Sequence, residues 1–286
     1  MSNTLLSDSF YFSPDTLSLI YKYTGSTFVI KYGGTAMKDM QIRSQVVQDL
    51  SLLHFLGLNI ILVHGGGIFV NNWLSKLNIQ PRFEDGVRVT DSQTMDIVEM
   101  VLIGKINKNL VSLLNKNNIL SVGLSGQDAN LVVASRMYDS TSNLTGRIDL
   151  VNPKLLELLI SNKLVPVVAS VAADYDGNRY NVNADTVAGH IASAIGADKL
   201  ILLTDTPGVL RDTNDNSTLI KNLDFVTISQ LKSRHIISNG MIPKIDSCVY
   251  AVNNKVASAH IIDGTIKHAL LHEVLTYNRI GSMIVP

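Results

Sequence analysis

Short apolar runs that end in glycine set the pattern of the first part of the chain. Phe28-Val29-Ile30-Lys31-Tyr32 runs into Gly33-Gly34, and Ile60-Ile61-Leu62-Val63-His64 runs into Gly65-Gly66-Gly67. Each predicts a buried strand, a tight turn and then a helix, near Asp39–Leu56 after the first and near Phe69–Leu77 after the second. Pro81–Thr90, rich in charge and turn formers, predicts an irregular hairpin. Asp91–Asn115 predicts one long helix, with Ile97, Met100, Val101, Ile106 and Leu110 at helical spacing. Further on, Leu131–Ser135 predicts a short strand and Tyr138–Asp149 a polar turn region. Pro153–Ser161 predicts a helix, Leu164–Ser170 a strand, Asn183–Ile195 a helix and Lys199–Thr204 a strand. Ala257–Ile262 is the last clear buried strand, followed by a helix over Ile266–Leu275. This alternation makes the chain α/β, with a mostly parallel central sheet covered by helices. Upstream, Ser13-Pro14-Asp15 has the order of a helix start, a cap, a proline and an acid, with Leu17, Ile20 and Tyr21 following at helical spacing. A helix outside the core either packs on its own domain or docks on another subunit.

Composition narrows the class. The 286 residues are long enough for one large domain or two lobes, and 46% hydrophobic against 17% charged residues is the profile of a globular α/β enzyme. Lys+Arg and Asp+Glu are both 24, and a net charge of zero argues against a general nucleic-acid binder. One cysteine, Cys248, excludes an internal disulfide and fits a reducing compartment. The apolar runs fall short of the ~20 residues of a membrane helix. Met1 to Phe12 contain no Lys or Arg and include Asp8, unlike a secretory signal or a transit peptide, so the protein is expected to be made where it works.

Candidate chemistry begins at the glycine turns. Amides that point out of such a turn, just before a helix, make an anion site. Lys31 interrupts an apolar run beside Gly33-Gly34; it is either at a strand end reaching solvent or aimed at an anion. No Walker loop occurs. His64-Gly65-Gly66-Gly67 resembles an esterase oxyanion hole, but the nearest nucleophile elbow, Gly123-Leu124-Ser125-Gly126-Gln127, ends in the wrong residue. Tight strand-to-helix packing also explains one or two of those glycines. Arg88 is either a solvated surface residue or a bidentate carboxylate fork. In Asn181-Val182-Asn183-Ala184-Asp185, either asparagine can cap a helix whose first turn holds Asp185; the same residues suit ligand positioning. Thr204 and Asp205 stand at the carboxyl end of a strand, where α/β sheets bind ligands. Lys244 lies in the Gly/Pro-shaped segment Gly240-Met241-Ile242-Pro243-Lys244 and alone reads as surface.

Together these segments resemble the amino-acid kinase family from about Thr27 to the C-terminus. The resemblance rests on Lys31-Tyr32-Gly33-Gly34 with Ala36-Met37-Lys38, His64 to Gly67, Asp85-Gly86-Val87-Arg88-Val89-Thr90, Asn181 to Asp185, and Gly240-Met241 with Lys244. It implies an αβα sandwich with two lobes: an N-terminal extension over 1–26, an N-lobe over 27–196 for the acid substrate and a C-lobe over 197–286 for ATP. The Arg88 and Asn181 segments point to members that phosphorylate the side-chain carboxylate of N-acetyl-L-glutamate, the second step of arginine biosynthesis. By the same resemblance Lys31 and Lys244 stabilise the transition state and Asp185 orients both. Gly33, Gly34 and Gly66 contact the phosphoryl group, and Gly66, Gly67, Arg88 and Asn181 hold acetylglutamate. The nucleotide lies along Asp205, Gly208 and Leu210 and near Ile236 and Ser238, and Mg²⁺ enters with ATP rather than on a protein metal site. Arginine-inhibited members carry an extra N-terminal helix that links dimers into a hexamer and a C-terminal pattern beginning His-Ala-Leu-Leu. Here His268, Glu273 and Gly281 are the candidates for arginine regulation, while Arg279 stands where that pattern has glycine. The resemblance extends to plastid and cyanobacterial forms that bind the nitrogen-regulatory PII protein, and implies a plastid-encoded stromal enzyme, with a bacterial cytoplasm as the alternative. Two other readings remain: a sister kinase acting on aspartate, glutamate, carbamate or uridylate, and a non-catalytic effector- or PII-binding module on the same fold.

Overall fold

The computed structural model describes residues 13–84 and 87–286. The first twelve residues, and Asp85 and Gly86 of the Asp85–Thr90 segment, lie outside the described residues.

The Thr27–Tyr32 strand is buried on both faces because its side chains alternate between two cores. Phe28, Ile30 and Tyr32 pack with the helices Met40–Phe55, Gly67–Lys76 and Ala269–Leu275 on one side. Val29 packs on the other, with Lys154–Ser161, Ala184–Ala194, Phe225–Ser233 and Met241–Asn253. The result is three layers, α/β/α. The central sheet has eight strands in the order Asn222–Leu223, Ser282–Ile284, Ser258–Asp263, Lys199–Thr204, Thr27–Tyr32, Asn59–His64, Val165–Ala169 and Ser121–Ser125. Six run parallel; the Asn222–Leu223 and Ser282–Ile284 pair runs against them. The sheet is continuous through both the 27–196 and 197–286 segments.

The chain builds outward from Thr27–Tyr32 in one direction, then returns to add Lys199–Thr204 on its other edge. That reversal opens a crevice at the carboxyl ends of these strands, where Gly33-Gly34 and Asp205 lie. A four-stranded sheet (Val132–Arg136, Gly146–Val151, Val171–Ala173 and Arg179–Asn181) and the hairpin Arg82–Glu84 with Val87–Val89 make up the other sheets. Hydrogen bonds from Thr90 N to Asn143 Oδ1 (3.1 Å) and from Leu144 N to the Thr90 carbonyl (2.6 Å) tie the hairpin to the segment before Gly146.

Several predicted elements differ. The long helix runs over 92–116, but Met100–Asn107 is π-helical. An i→i+5 turn aligns residues five apart. Val101 with Ile106 and Leu102 with Asn107 are therefore all buried, while Met100, expected in the apolar stripe, is half exposed. The polar region Tyr138–Asp149 ends in the strand Gly146–Val151, whose exposed Arg147 and Asp149 gave it a turn-like composition. Ser282–Ile284 is a further strand after Ala257–Ile262. The Ile266–Leu275 helix begins only at Ala269, because His268 is left-handed at φ 56°. Ser121–Ser125, Phe225–Ser233 and Met241–Asn253 carried no predicted element. At the N-terminal end Ser13 Oγ accepts from Thr16 N at 3.1 Å and caps Pro14–Tyr23. One face of that helix packs on its own domain through Leu19 and the Tyr23–Phe28 edge contact; Leu17 and Tyr21 face outward.

Candidate active site

Lys31 emerges at the end of its strand, just before the turn. Gly34 has φ 72°, a conformation that favours glycine, and it folds the chain away so that the lysine head meets the crevice. From the facing layer, Asn183 Oδ1 accepts from Asp185 N (2.8 Å) and Thr186 N (3.2 Å) and caps Ala184–Ala194. The capping reading thus holds for Asn183. It leaves Asp185 in the first turn, aimed at the strand ends. Pro243 is accommodated in the first turn of Met241–Asn253, where a missing N–H costs little, and Lys244 follows it.

These elements converge on one carboxylate. Lys31 Nζ lies 2.8 Å from Asp185 Oδ1 and Lys244 Nζ lies 2.8 Å from Asp185 Oδ2. Burial works to raise the Asp185 pKa, but the two ammonium charges outweigh it and hold the carboxyl at about 2. Burial pulls Lys31 below the ordinary lysine value; the Asp185 charge resists this and the Lys244 charge adds to it. Asp185 is therefore an ionised strut between two cations: Lys244 hydrogen-bonds to Oδ2, while Oδ1 makes the ion-pair contact to Lys31 without a hydrogen bond.

The cleft beside this triad holds about 220 Å³ and is lined by Lys31, the two glycine turns, Arg88, Asn181 and Asp185 among others. Arg88 is buried on the hairpin strand Val87–Val89, not solvated. Its Nη2 donates to Asn71 Oδ1 (2.6 Å) and the Gly67 carbonyl (3.3 Å), and its guanidinium stacks 4.8 Å from the Phe83 ring. Its Nη1 is buried with no protein partner among the described residues. Burial lowers the Arg88 pKa, so a buried cation with an unpartnered Nη1 sits in the wall of the cleft, a setting that favours an anion beside it. Asn181 donates from Nδ2 to Thr90 Oγ1 at 3.0 Å, fixing its side chain at the same wall. At Gly66 the tight-packing reading holds. This glycine lines the cleft, and a Cβ there would overlap Ile106 Cδ1 and come within 2.7 Å of Leu102 Cδ2. The esterase reading fails: Ser125 ends an edge strand and donates to Asp128 Oδ2 at 3.0 Å, away from the cleft lining.

Other sequence candidates lie apart. Asp205 sits beside Gly34, 3.7 Å from where a Cβ would be. Gly208 is packed against the Ser282 hydroxyl, Leu210 bridges to Leu219, and Ile236 and Ser238 follow the Phe225–Ser233 helix; none of them lines the cleft. His268 Nδ1 is 2.6 Å from Asp49 Oδ1. Glu273 is buried; it accepts from His260 Nδ1 (2.7 Å), Ile280 N (2.9 Å) and Gly281 N (3.1 Å), which fastens the C-terminal segment to the core. Sequence reasoning missed Asn71 and Phe83, the partners that orient Arg88. Asn71 sits four residues after Gly67, one turn into the helix, and that spacing was the available signal.

A profile of the amino acid kinase family matches residues 26–263. The chain belongs to the amino acid kinase family. Lys31, the glycine turns, Arg88, Asn181, Asp185 and Lys244 all fall within the matched span. This family member is 53% identical over 272 residues to the acetylglutamate kinase of Gracilaria tenuistipitata var. liui, covering 95% of each chain. It is 51% identical over 271 residues to the acetylglutamate kinase of Nostoc sp., covering 95% of this chain and 91% of that one. Among solved structures it resembles N-acetylglutamate synthase from Neisseria gonorrhoeae complexed with coenzyme A and N-acetyl-glutamate, at TM-score 0.83 and 22% identity. That match covers 95% of this chain and spans 62% of the synthase chain, and it shows the shared amino-acid-kinase fold.

Proposed function

We propose that the chain catalyses the acetylglutamate kinase reaction: transfer of the ATP γ-phosphoryl group to the side-chain carboxylate of N-acetyl-L-glutamate, giving N-acetyl-L-glutamyl 5-phosphate and ADP in arginine biosynthesis. The observation that carries the reading is Asp185 held between Lys31 and Lys244 at a cleft that Arg88, with its buried and unpartnered Nη1, also lines. The near-full-length likeness to acetylglutamate kinases supports the same substrate.

The nucleophile is a carboxylate, already ionised at neutral pH, so the reaction asks for positioning and charge neutralisation rather than a base. A carboxyl held at about 2 is a poor base in any case, and Asp185 acts as the spacer that aims both lysines. Lys31 and Lys244 are the compact charges that neutralise the phosphoryl oxygens as they move between acceptor and leaving group. The amides of Gly33, Gly34 and Gly66 face the same oxygens. Arg88 takes the α-carboxylate of acetylglutamate, and Asn181, Gly66 and Gly67 hold the rest. The nucleotide runs along Asp205, Gly208 and Leu210 toward Ile236 and Ser238, on the 197–286 lobe. Mg²⁺ comes bound to the ATP phosphates, its usual holding mode.

The Pro14–Tyr23 helix, with Leu17 and Tyr21 outward, joins subunits into a homo-oligomer, a dimer or hexamer. Arginine acts as an effector through the segment of His268, Glu273 and Gly281, and PII is a protein partner. The red-algal and cyanobacterial relatives support a plastid stroma, or a bacterial cytoplasm; no described helix is long and apolar enough to cross a membrane. The test is ADP release with N-acetyl-L-glutamate against aspartate, glutamate, carbamate and uridylate, repeated with millimolar arginine. Turnover with acetylglutamate alone is expected. Faster turnover on another acceptor, or ATP binding without turnover, would overturn the reading.

A further inference from the structure

The second glycine turn contains a buried polar chain that the phosphoryl-transfer reading leaves unused. His64 ends the Asn59–His64 strand, is fully buried and does not line the cleft. Asn107, also fully buried, donates from Nδ2 to the Val167 carbonyl at 2.8 Å, with the Leu124 carbonyl at 3.3 Å and His64 Nε2 at 3.1 Å from the same nitrogen, while its Oδ1 has no partner among the described residues. A carbonyl only accepts, so the Val167 contact fixes which end of Asn107 is the nitrogen. Nδ1 of His64 faces the Gly65 carbonyl at 2.9 Å, which can only accept, so the ring proton sits on Nδ1 and Nε2 is the acceptor that faces the Asn107 amide. Burial pushes the His64 pKa down to about 4, which keeps the ring neutral at pH 7.

Gly65 is thereby held from both sides, because its N–H donates to the Tyr32 carbonyl at 3.2 Å. The described peptides are all trans. In a planar trans peptide the C=O of one residue and the N–H of the next point in opposite directions. A Gly65 carbonyl turned inward to His64 sends the Gly66 N–H the other way, away from the buried ring, and Gly66 lines the cleft. Among the described residues that N–H has no protein acceptor. Two adjacent glycines would otherwise tolerate either orientation of the peptide between them. The π-helical turn serves the same end. It aligns Leu102, which packs on Gly66, with Asn107, which reaches His64.

We propose that His64 and Asn107 are positioning residues: the chain from Asn107 Nδ2–H through the neutral His64 ring to the Gly65 carbonyl locks the Gly65–Gly66 peptide, so that the Gly66 amide is presented to the transferring phosphoryl group. The identity of that group rests on the kinase reading; the lock itself does not. In the full chain labelled with ¹⁵N at histidine and glycine, His64 is expected as the Nδ1–H tautomer at pH 7 and Gly66 as a single amide resonance. His64→Leu and Asn107→Leu are expected to broaden or double the Gly66 resonance and leave Gly177, in an open turn, unchanged. An Nε2–H tautomer, or an unaltered Gly66 resonance in both variants, overturns the lock whatever the substrate is. In the ADP-release assay His64→Leu should lower kcat by about 10²-fold, the scale of a lost oxyanion-type donor, with the acetylglutamate KM within about threefold. His64→Asn keeps a donor at the position of Nδ1 and should recover about tenfold of that loss. Equal loss in both variants, or a loss matched by a rise in KM, assigns His64 to core packing and overturns the role. Native protein that does not phosphorylate acetylglutamate refutes the proposed function, while the tautomer and the Gly66 resonance still decide the lock.

Discussion

Replacing Lys31 by methionine isolates the charge at the centre of the site. Methionine keeps the apolar stem that packs at the strand end, and only the ammonium is lost. Lys31 is 7% exposed, so its charge acts in a poorly screened site. At about 4 Å and an effective permittivity near 20, one ammonium is worth about 4 kcal/mol to a unit of negative charge. At ~1.4 kcal/mol per factor of ten this is about 10³-fold in rate. The bound γ-phosphate already feels part of that charge before reaction, so kcat should fall by about 10²- to 10³-fold, with the acetylglutamate KM changing less than about threefold. The fold should survive. Asp185 keeps Lys244 at 2.8 Å, and the cost of burying one ammonium disappears with it. The assay is ADP release at saturating acetylglutamate, with a thermal melt beside it. A kcat within tenfold of the native value in a folded variant would refute the role of Lys31.

Asp185→Asn leaves two ammonium groups facing each other in a buried site, and breaking such a pair costs about 3–5 kcal/mol, so the melting temperature should drop by several degrees or more; an unchanged melt would contradict the strut. The Asp185 carboxyl lies below its ordinary 3.8, at about 2, so its contribution to stability is present above pH 3.8 and is lost as pH falls through about 2. At ~1.4 kcal/mol per pH unit that contribution is about 2 kcal/mol, offset in part by the buried Lys31 charge, and acid titration of Asp185→Asn should lack that step. Arg88→Lys loses the planar fork and the Nη1 donor, and should raise the acetylglutamate KM by about 10- to 100-fold with a smaller change in kcat; steady-state kinetics with an unchanged KM would remove Arg88 from the substrate wall. Glu273→Gln turns one acceptor arm into a donor that must face either the His260 N–H or the Ile280 and Gly281 amides, at a cost of about 1–3 kcal/mol. Hydrogen exchange at Ile280 and Gly281 should quicken, and unaltered exchange would show that the carboxylate does not fasten this segment.

The contrast between His64 and Arg88 shows where reading from sequence stops. Both are polar residues close to glycine in the sequence. Local sequence left Arg88 open between solvent and ligand, and the structure buries it because the hairpin folds over the Gly67–Lys76 helix and Asn71 meets it there. The His64 motif suggested an oxyanion hole, yet its ring points into the core, toward a partner 43 residues away on the π-helical segment. Lys244 read as surface for the same reason: Asp185 lies 59 residues earlier, on another helix.

The sequence by itself determined the alternation of strands and helices, the two glycine turns and the helix start at Asn183. Each depends on neighbours within a few residues: periodic burial, a residue free to take positive φ, a side chain capping its own turn. Tertiary structure alone decided the rest. The π-helical turn, the edge strands and the Lys31–Asp185–Lys244 strut depend on contacts between distant segments. Burial, which leaves the Arg88 Nη1 without a partner and keeps the His64 ring neutral, comes from the layers that close over them.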